Sequence, residues 1–493
     1  MNKWRVAGLV IVAALATWLG LRSCMPEKPA AVAESKPARE EFHASKPLRV
    51  VVRRAAASIG EVATTADIDE WLERELRYLL IRGRMRVAAV GVADARPFTL
   101  QIELPANNEA EAKMTLLAPD GTAGSQSDVT LDTKDRLTLV LSLAKQLPGF
   151  LGAAHTSADW GTYVGMADAA VYDSFIHSSS ELLGPHGHGF TQPAAVDRSR
   201  TVQRLEAMSR KPPESARVLS LLSVAYLSLG GEDQVSLAHI AESKAERALA
   251  LDPAQAEARS ALGLIRLRRG EWGAATEYFD AALALDANAI PALEGSACLL
   301  VDVGQSRAAL PIAQRAVALQ PDNVGANTCL AYAQLATDSS PEATDHDPVP
   351  AIRVKALAAV LSGKTVTADE RDSAWMDPLL RATTDKRQRS EAVRAITLAA
   401  SNGSIDAATE ILSGAALRQS DFVFNRMLRL HKQNEPVPLR ILWLPQTAFL
   451  RTHRGFEDII SASGLQPYWQ DHGPPDVCAT EKEVYGCKLG KGR

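Results

Sequence analysis

Ala256 to Ala289 reads AEARSALGLIRLRRGEWGAATEYFDAALALDANA, and its pattern of large and small side chains returns in the next 34 residues. Within this unit Leu262-Gly263 is a large–small pair that lets two helices approach, and Gly270 makes the turn between them. Ala275 suits a close crossing, Phe279 and Ala282 pack the second helix, and Asp286-Ala287 breaks it. Ala297, Gly304, Ala309, Ala316 and Pro321 hold the equivalent positions of a unit from Ile290 to Asn323, and Leu330-Ala331 opens a third. Upstream, Ala216 to Pro253 offers Leu222-Ser223, Tyr226, Gly230, Ala241, Ala248 and Pro253, with extra residues at the turn. A fixed period of this length means stacked helical hairpins. Each hairpin buries its apolar face only against its neighbours, so the stack needs caps at its ends.

This register resembles the tetratricopeptide repeat. The fold expected is mainly α: a tetratricopeptide α-solenoid preceded by a small α/β domain and an N-terminal membrane helix. Arg266 stands where an aromatic normally packs, and Pro311 falls inside a second helix, where it is expected to kink it. The resemblance implies a groove lined by first helices that holds a protein or peptide partner. In this chain the groove positions carry Arg217, Glu257, Arg268, Glu294, Asp302 and Tyr332, whose mixed charge points to no ligand of a single sign.

The N-terminus speaks to location. Lys3 and Arg5 precede an apolar run from Val6 to Leu21 with Trp4 and Trp18 near its ends, read as a signal-anchor within residues 1–22. The run is short for a span of ~20 residues, but Trp4 and a snorkelling Arg5 extend it. The expectation is a bacterial inner-membrane protein held through residues 4–21, with the bulk periplasmic. Other readings stay open: a cleaved signal peptide ending near Ala31-Val32-Ala33, a lipoprotein at Cys24 with Arg22 where a small residue is expected, or a buried core helix. Residues 23–47 are rich in Pro, Ala, Glu, Lys and Ser without apolar period, a linker with a reach of roughly 30 Å.

Residues 48–152 read as an α/β unit. Leu48 to Val52, Met85 to Val92, Phe98 to Leu104, Lys113 to Leu117 and Val129 to Leu131 are strand-like. Ile68, Trp71, Leu72, Leu76, Leu79 and Leu80 form the stripe of one helix, and a second runs from about Asp135 to Gln146. The order resembles a TolB-like amino-terminal domain. A helical connector (153–215), the repeats (216–337), an acidic Pro-rich loop (338–350), degenerate helical repeats (351–440) and a C-terminal capping segment (441–493) follow.

Within that last segment lie Leu450-Arg451, Phe456, Gly464-Leu465, Tyr468-Trp469, Gly473, Pro475-Asp476 and Cys478. Together they resemble the closing segment of tetratricopeptide proteins tied to CadC-like membrane regulators and adenylate-cyclase-associated repeat proteins. As a cap, Phe456, Ile459, Ile460 and Leu465 are expected to cover the last repeat's open face, with Tyr468 and Trp469 at the rim. Regulators of this kind carry a DNA-binding domain before the membrane span, whereas only Met1 to Arg5 precede it here, so no nucleic-acid partner is expected. Charge agrees: 54 basic against 58 acidic residues, net −4, lend no support to nucleic-acid binding through a basic surface.

Cys478 and Cys487, close in sequence, are expected to pair as a disulfide in an exported body, while Cys298 and Cys329 read as free thiols filling core space. Neither pair has metal-site spacing. His186 and His188 flank Gly187 in what reads as a solvated loop, with metal binding only if His155 or His177 joined them. Ser362-Gly363-Lys364-Thr365 imitates the end of a phosphate loop, but Ala358 replaces the required glycine and Gly363 is more simply a helix C-cap. No nucleophile elbow or metallohydrolase motif is present, so no cofactor and no enzymatic activity are expected. The leading expectation is a scaffold or adaptor. The alternatives are the sensory half of a transmembrane signalling system, or an envelope hydrolase built on the α/β unit.

Overall fold

The computed structural model describes residues 46–54, 66–83, 85, 87–88, 97–105, 111–132, 134–152, 165–184, 198–229, 234–337 and 347–487. The anchor at residues 4–21, Cys24, the linker up to residue 45, and His155, His186 and His188 lie outside them. Among the described residues no helix is long and apolar enough to cross a membrane.

The α/β module is a four-stranded sheet in the order β1 (Leu48–Arg54), β2 (Phe98–Leu104), β3 (Glu111–Leu117), β4 (Ala123–Thr130). β1 and β2 run parallel with Leu48 opposite Phe98, and the two later pairings are antiparallel. The alternation of β2 buries Phe98, Leu100, Ile102 and Leu104, so one face of the sheet meets helices while β4 leaves a polar outer edge. Of the strand expected from Met85 to Val92, the structure shows an isolated parallel bridge from Val87 to Leu48. Helix α1 (Ala66–Arg82) buries Trp71, Leu72, Leu76, Leu79 and Leu80. Helix α2 (Arg136–Phe150) starts at a capping box in which Asp135 accepts from the Thr138 amide and Thr138 accepts from the Asp135 amide.

Two connector helices, α3 (Ala169–Leu183) and α4 (Arg198–Ser209), lead into the array. Its hairpins pair α5 (Ala216–Ser228) with α6 (Gln234–Leu251), α7 (Ala256–Arg268) with α8 (Trp272–Leu285), and α9 (Ile290–Asp302) with α10 (Ser306–Leu319). Helices α11 (Val324–Ala336) and α12 (Val349–Leu361) extend it, followed by α13 (Ser373–Thr384), α14 (Arg389–Ser401), α15 (Ala407–Ala416) and α16 (Ser420–Lys432). Phe279 is the clearest jigsaw piece: a Cβ on Gly263 or Gly295 would lie 2.6 or 2.2 Å from its ring, so both must be glycine. Helix α10 runs from Ser306 to Leu319 with Pro311 inside it. The place of the missing aromatic is taken by an ion pair, Arg266 to Glu242 at 2.9 Å, which ties α7 to the preceding hairpin. Gly363 adopts φ +76° after α12, with the Lys364 amide donating to the Ala359 carbonyl, as a C-cap requires.

The C-terminal segment comprises two 3₁₀ stretches (Leu439–Trp443 and Pro445–Thr452), then α17 (Arg454–Ala462) and α18 (Leu465–His472). Phe456, Ile459, Ile460 and Leu465 are buried as expected of cap residues. The segment does more than cover the last helix pair: it returns to the turns inside the array. Trp443 and Trp469 donate their indole N–H to the carbonyls of Asp302 and Val303, and Trp272 donates to the Ser463 carbonyl, at 2.7–2.9 Å. The reason is geometric. The last carbonyls of a helix have no partner within it, and an indole supplies one donor together with a large apolar area.

Candidate protein-binding groove

The α/β module packs onto the side of the array that carries the groove positions, and its attachment is built around one carboxylate. Glu75 lies on the buried stripe of α1, and Arg217, at the second position of the first repeat, meets it through two hydrogen bonds of 2.6 and 3.0 Å. Tyr172 of α3 donates its hydroxyl to the same carboxylate at 2.9 Å. The guanidinium is held between the rings of Tyr78, 4.0 Å away, and Phe175, 4.6 Å away. Burial opposes the charge of Arg217, but the Glu75 carboxylate reverses the sign and holds it above the usual arginine range. Burial, reinforced by Glu75, pushes the Tyr172 hydroxyl well above the usual tyrosine value, so it stays a proton donor.

The turns between repeats supply a second row of contacts. Asp252, Asp286 and Gln320 occupy the same place in consecutive units, 34 residues apart. Asp252 holds Arg82 of α1 at 2.9 Å, and Gln255 beside it donates to the Tyr78 hydroxyl at 3.2 Å. Gln320 donates to the carbonyls of Leu182 and Gly184 at the end of α3, at 3.3 and 2.9 Å. Between them, Asn288 donates to the Ala88 carbonyl at 3.0 Å. Among the described residues Asp286 accepts only its own turn's amide, from Asn288 at 2.9 Å. It lines a recess of about 380 Å³ together with Glu257, Arg77, Phe175 and Leu319.

The other end of the row is closed by the C-terminal segment. Arg440 donates to both oxygens of Asp302, at 2.8 and 2.6 Å, and to the Cys329 sulfur at 3.1 Å, and its guanidinium lies 5.6 Å from the Tyr332 ring centre. Burial pushes the Asp302 carboxyl above its ordinary value even with Arg440 pulling it down. Cys298 and Cys329 form a disulfide across α9 and α11, with Cα atoms 5.3 Å apart. This corrects the expectation of free thiols: 31 residues apart, they fall on the facing sides of adjacent first helices. Cys478 and Cys487 are paired as expected.

Of the six residues expected to face a partner, four are therefore buried in contacts within the chain. Arg217 is held by Glu75, Asp302 by Arg440, and Tyr332 lies beneath Arg440, while Glu294 accepts from the Asn323 amide nitrogen at 2.9 Å. The picture of an open groove along these positions is corrected, because α1, α3 and the C-terminal segment occupy it. Glu257 and Arg268 are the two that stay half-buried. Arg268 donates to the Leu227 carbonyl at 3.1 Å, and burial lowers its pKa. Burial raises the Glu257 carboxyl, and the charge of Asp286 adds to the effect. Sequence reading passed over Glu75, Gln255, Asp286 and Arg440. Glu75 alone left a signal, as a carboxylate inside the Leu72–Leu76–Leu79 stripe.

Among the described residues no group of three or more His, Cys, Asp or Glu side chains could hold a metal ion. His177 is paired with Glu181 at 3.2 Å one turn away. The tetratricopeptide repeat family matches residues 236–290, from α6 through α8 to the start of α9. No curated protein matches the chain. The class that fold and match define is a protein carrying tetratricopeptide repeats, a module generally used to bind other proteins.

Proposed function

We infer that this chain is a non-enzymatic scaffold of the bacterial envelope, anchored in the inner membrane through residues 4–21, with its repeat-bearing body in the periplasm. The observation that carries the reading is the phased array and its family match, since stacked hairpins of this register present side chains to protein or peptide partners. Two disulfides in the body favour an oxidising compartment beyond the membrane. The TolB-like pattern of the amino-terminal module and the CadC-like closing segment support an exported placement.

The partner engages what the chain's own elements leave accessible, around Glu257 and Arg268. Crosslinking in intact cells followed by mass spectrometry of the captured proteins tests this reading. Capture is expected from wild-type cells and strongly reduced for Glu257→Ala with Arg268→Ala; capture unaffected by the pair would count against it. An alkaline phosphatase reporter fused after Arg493 is expected to be active, and cytosolic placement of the reporter would remove the envelope assignment.

A further inference from the structure

We propose that the recess lined by Glu257 and Asp286 receives the guanidinium or ammonium group of a single basic side chain from a protein partner. The repeat supplies its own control. At the position of Asp286 one unit earlier, Asp252 binds a guanidinium, Arg82, at 2.9 Å. One unit later, Gln320 is satisfied by the carbonyls of Leu182 and Gly184. The flanking rungs are thus filled by the amino-terminal module, and the middle one opens into a recess of about 380 Å³.

The second position of each repeat tells the same story. Arg217 is neutralised by Glu75, whereas its counterpart in the next unit, Glu257, carries the opposite charge and makes no ion pair among the described residues. Burial and then the charge of Asp286 raise the Glu257 carboxyl, while Arg217, which lines the same recess, lowers it. Arg77 and Arg315 act on Asp286 through their charge, without an ion pair to it among the described residues. Phe175, Leu221, Ile290 and Leu319 also line the recess and suit the methylene stem of a basic side chain. The volume lies within the range of small-ligand pockets and accommodates one such side chain.

The proposal rests on the scaffold reading only in assigning the cation to a protein. Calorimetric titration of the full chain with acetyl-Gly-Arg-Gly-amide, with the same peptide carrying citrulline, and with methylguanidinium chloride tests it. The arginine peptide is expected to bind roughly tenfold or more tightly than its neutral isostere, because a charge-assisted pair is lost. Binding is expected to disappear in the Glu257→Gln, Asp286→Asn variant while its melting temperature does not fall. Equal binding of the citrulline peptide, or arginine binding undiminished in the variant, would overturn the site. Methylguanidinium binding as tightly as the peptide would overturn the protein-borne assignment in favour of a free cation. Failure of the scaffold reading is separable: wild-type cells would then yield no crosslinked partner even though the arginine peptide still binds.

Discussion

Glu75 and Arg217, 142 residues apart, meet at 2.6 Å with 1% and 8% of their side chains exposed, and this pair fixes how the amino-terminal module sits on the array. The carboxylate accepts three hydrogen bonds, two from Arg217 and one from Tyr172. A pair of this kind is costly to break from one side only, because the surviving charge stays buried. Arg217→Met is expected to destabilise the protein by about 3–5 kcal/mol, and adding Glu75→Gln should recover a large part of the loss. Urea denaturation of the two variants measures the difference. Additive losses would show that the two groups do not act as a unit.

The carboxyls of Glu257 and Asp286 make a prediction of opposite sign. Burial raises both, so each binds its proton more readily in the folded protein than in the unfolded chain. Their contribution is therefore a cost that is full above the raised values and fades as pH falls toward the unfolded carboxylate range of about 4. Glu257→Gln with Asp286→Asn is expected to raise the melting temperature at pH 7, with the gain shrinking at pH 4. A loss of stability at pH 7 would mean that the chain's own cations already neutralise the recess.

The two disulfides should differ in weight. Cys298–Cys329 closes 31 residues and joins two repeats, and loop-closure entropy assigns it about 3–4 kcal/mol; Cys478–Cys487 closes 9 and is worth about 2–3. Cys329 is 1% exposed, so its bond should resist reductant until the array opens, whereas the tail bond reduces in the native state. Thiol trapping during a timed reduction, followed by mass spectrometry, reads the order directly. Simultaneous loss of both bonds would contradict it.

What the sequence made legible is what recurs. The array is written in side-chain sizes that recur every 34 residues, and the contacts of the Phe279 ring with Gly263 and Gly295 show how tightly the helices fit. The strand alternation of Phe98 to Leu104 and the helix beginning near Asp135 are likewise local statements. The occupancy of the groove is not local. Arg217 and Asp302 hold positions that face outward in an isolated array, and only the return of α1 and of Arg440 from distant segments buries them. The periodicity that identifies a groove residue is blind to whether the same chain fills the groove. The Cys298–Cys329 bond escaped for a related reason: thiols on adjacent first helices read equally well as core filling until the rotation of one helix against the other is known.

Gly270 and Gly304 make the same turn one repeat apart, with φ of +71° and +87°, and their comparison isolates what the C-terminal segment contributes. A methyl group on either must adopt a left-handed conformation, at a cost of about 1–2 kcal/mol. On Gly270 it would meet nothing closer than 4.0 Å. On Gly304 it would lie 2.6 Å from Pro475 and 3.0 Å from the Trp443 ring, where the C-terminal segment is pressed against the turn and the Asp476 amide donates to the Gly304 carbonyl at 2.8 Å. Gly304→Ala is therefore expected to lose a further 1–3 kcal/mol or so from overpacking, beyond the loss in Gly270→Ala. It should also speed proteolytic release of the segment after Lys432. Denaturation midpoints and a protease time course on the two variants give both numbers, and equal losses would mean that the tryptophans dock too loosely for the turn to feel them.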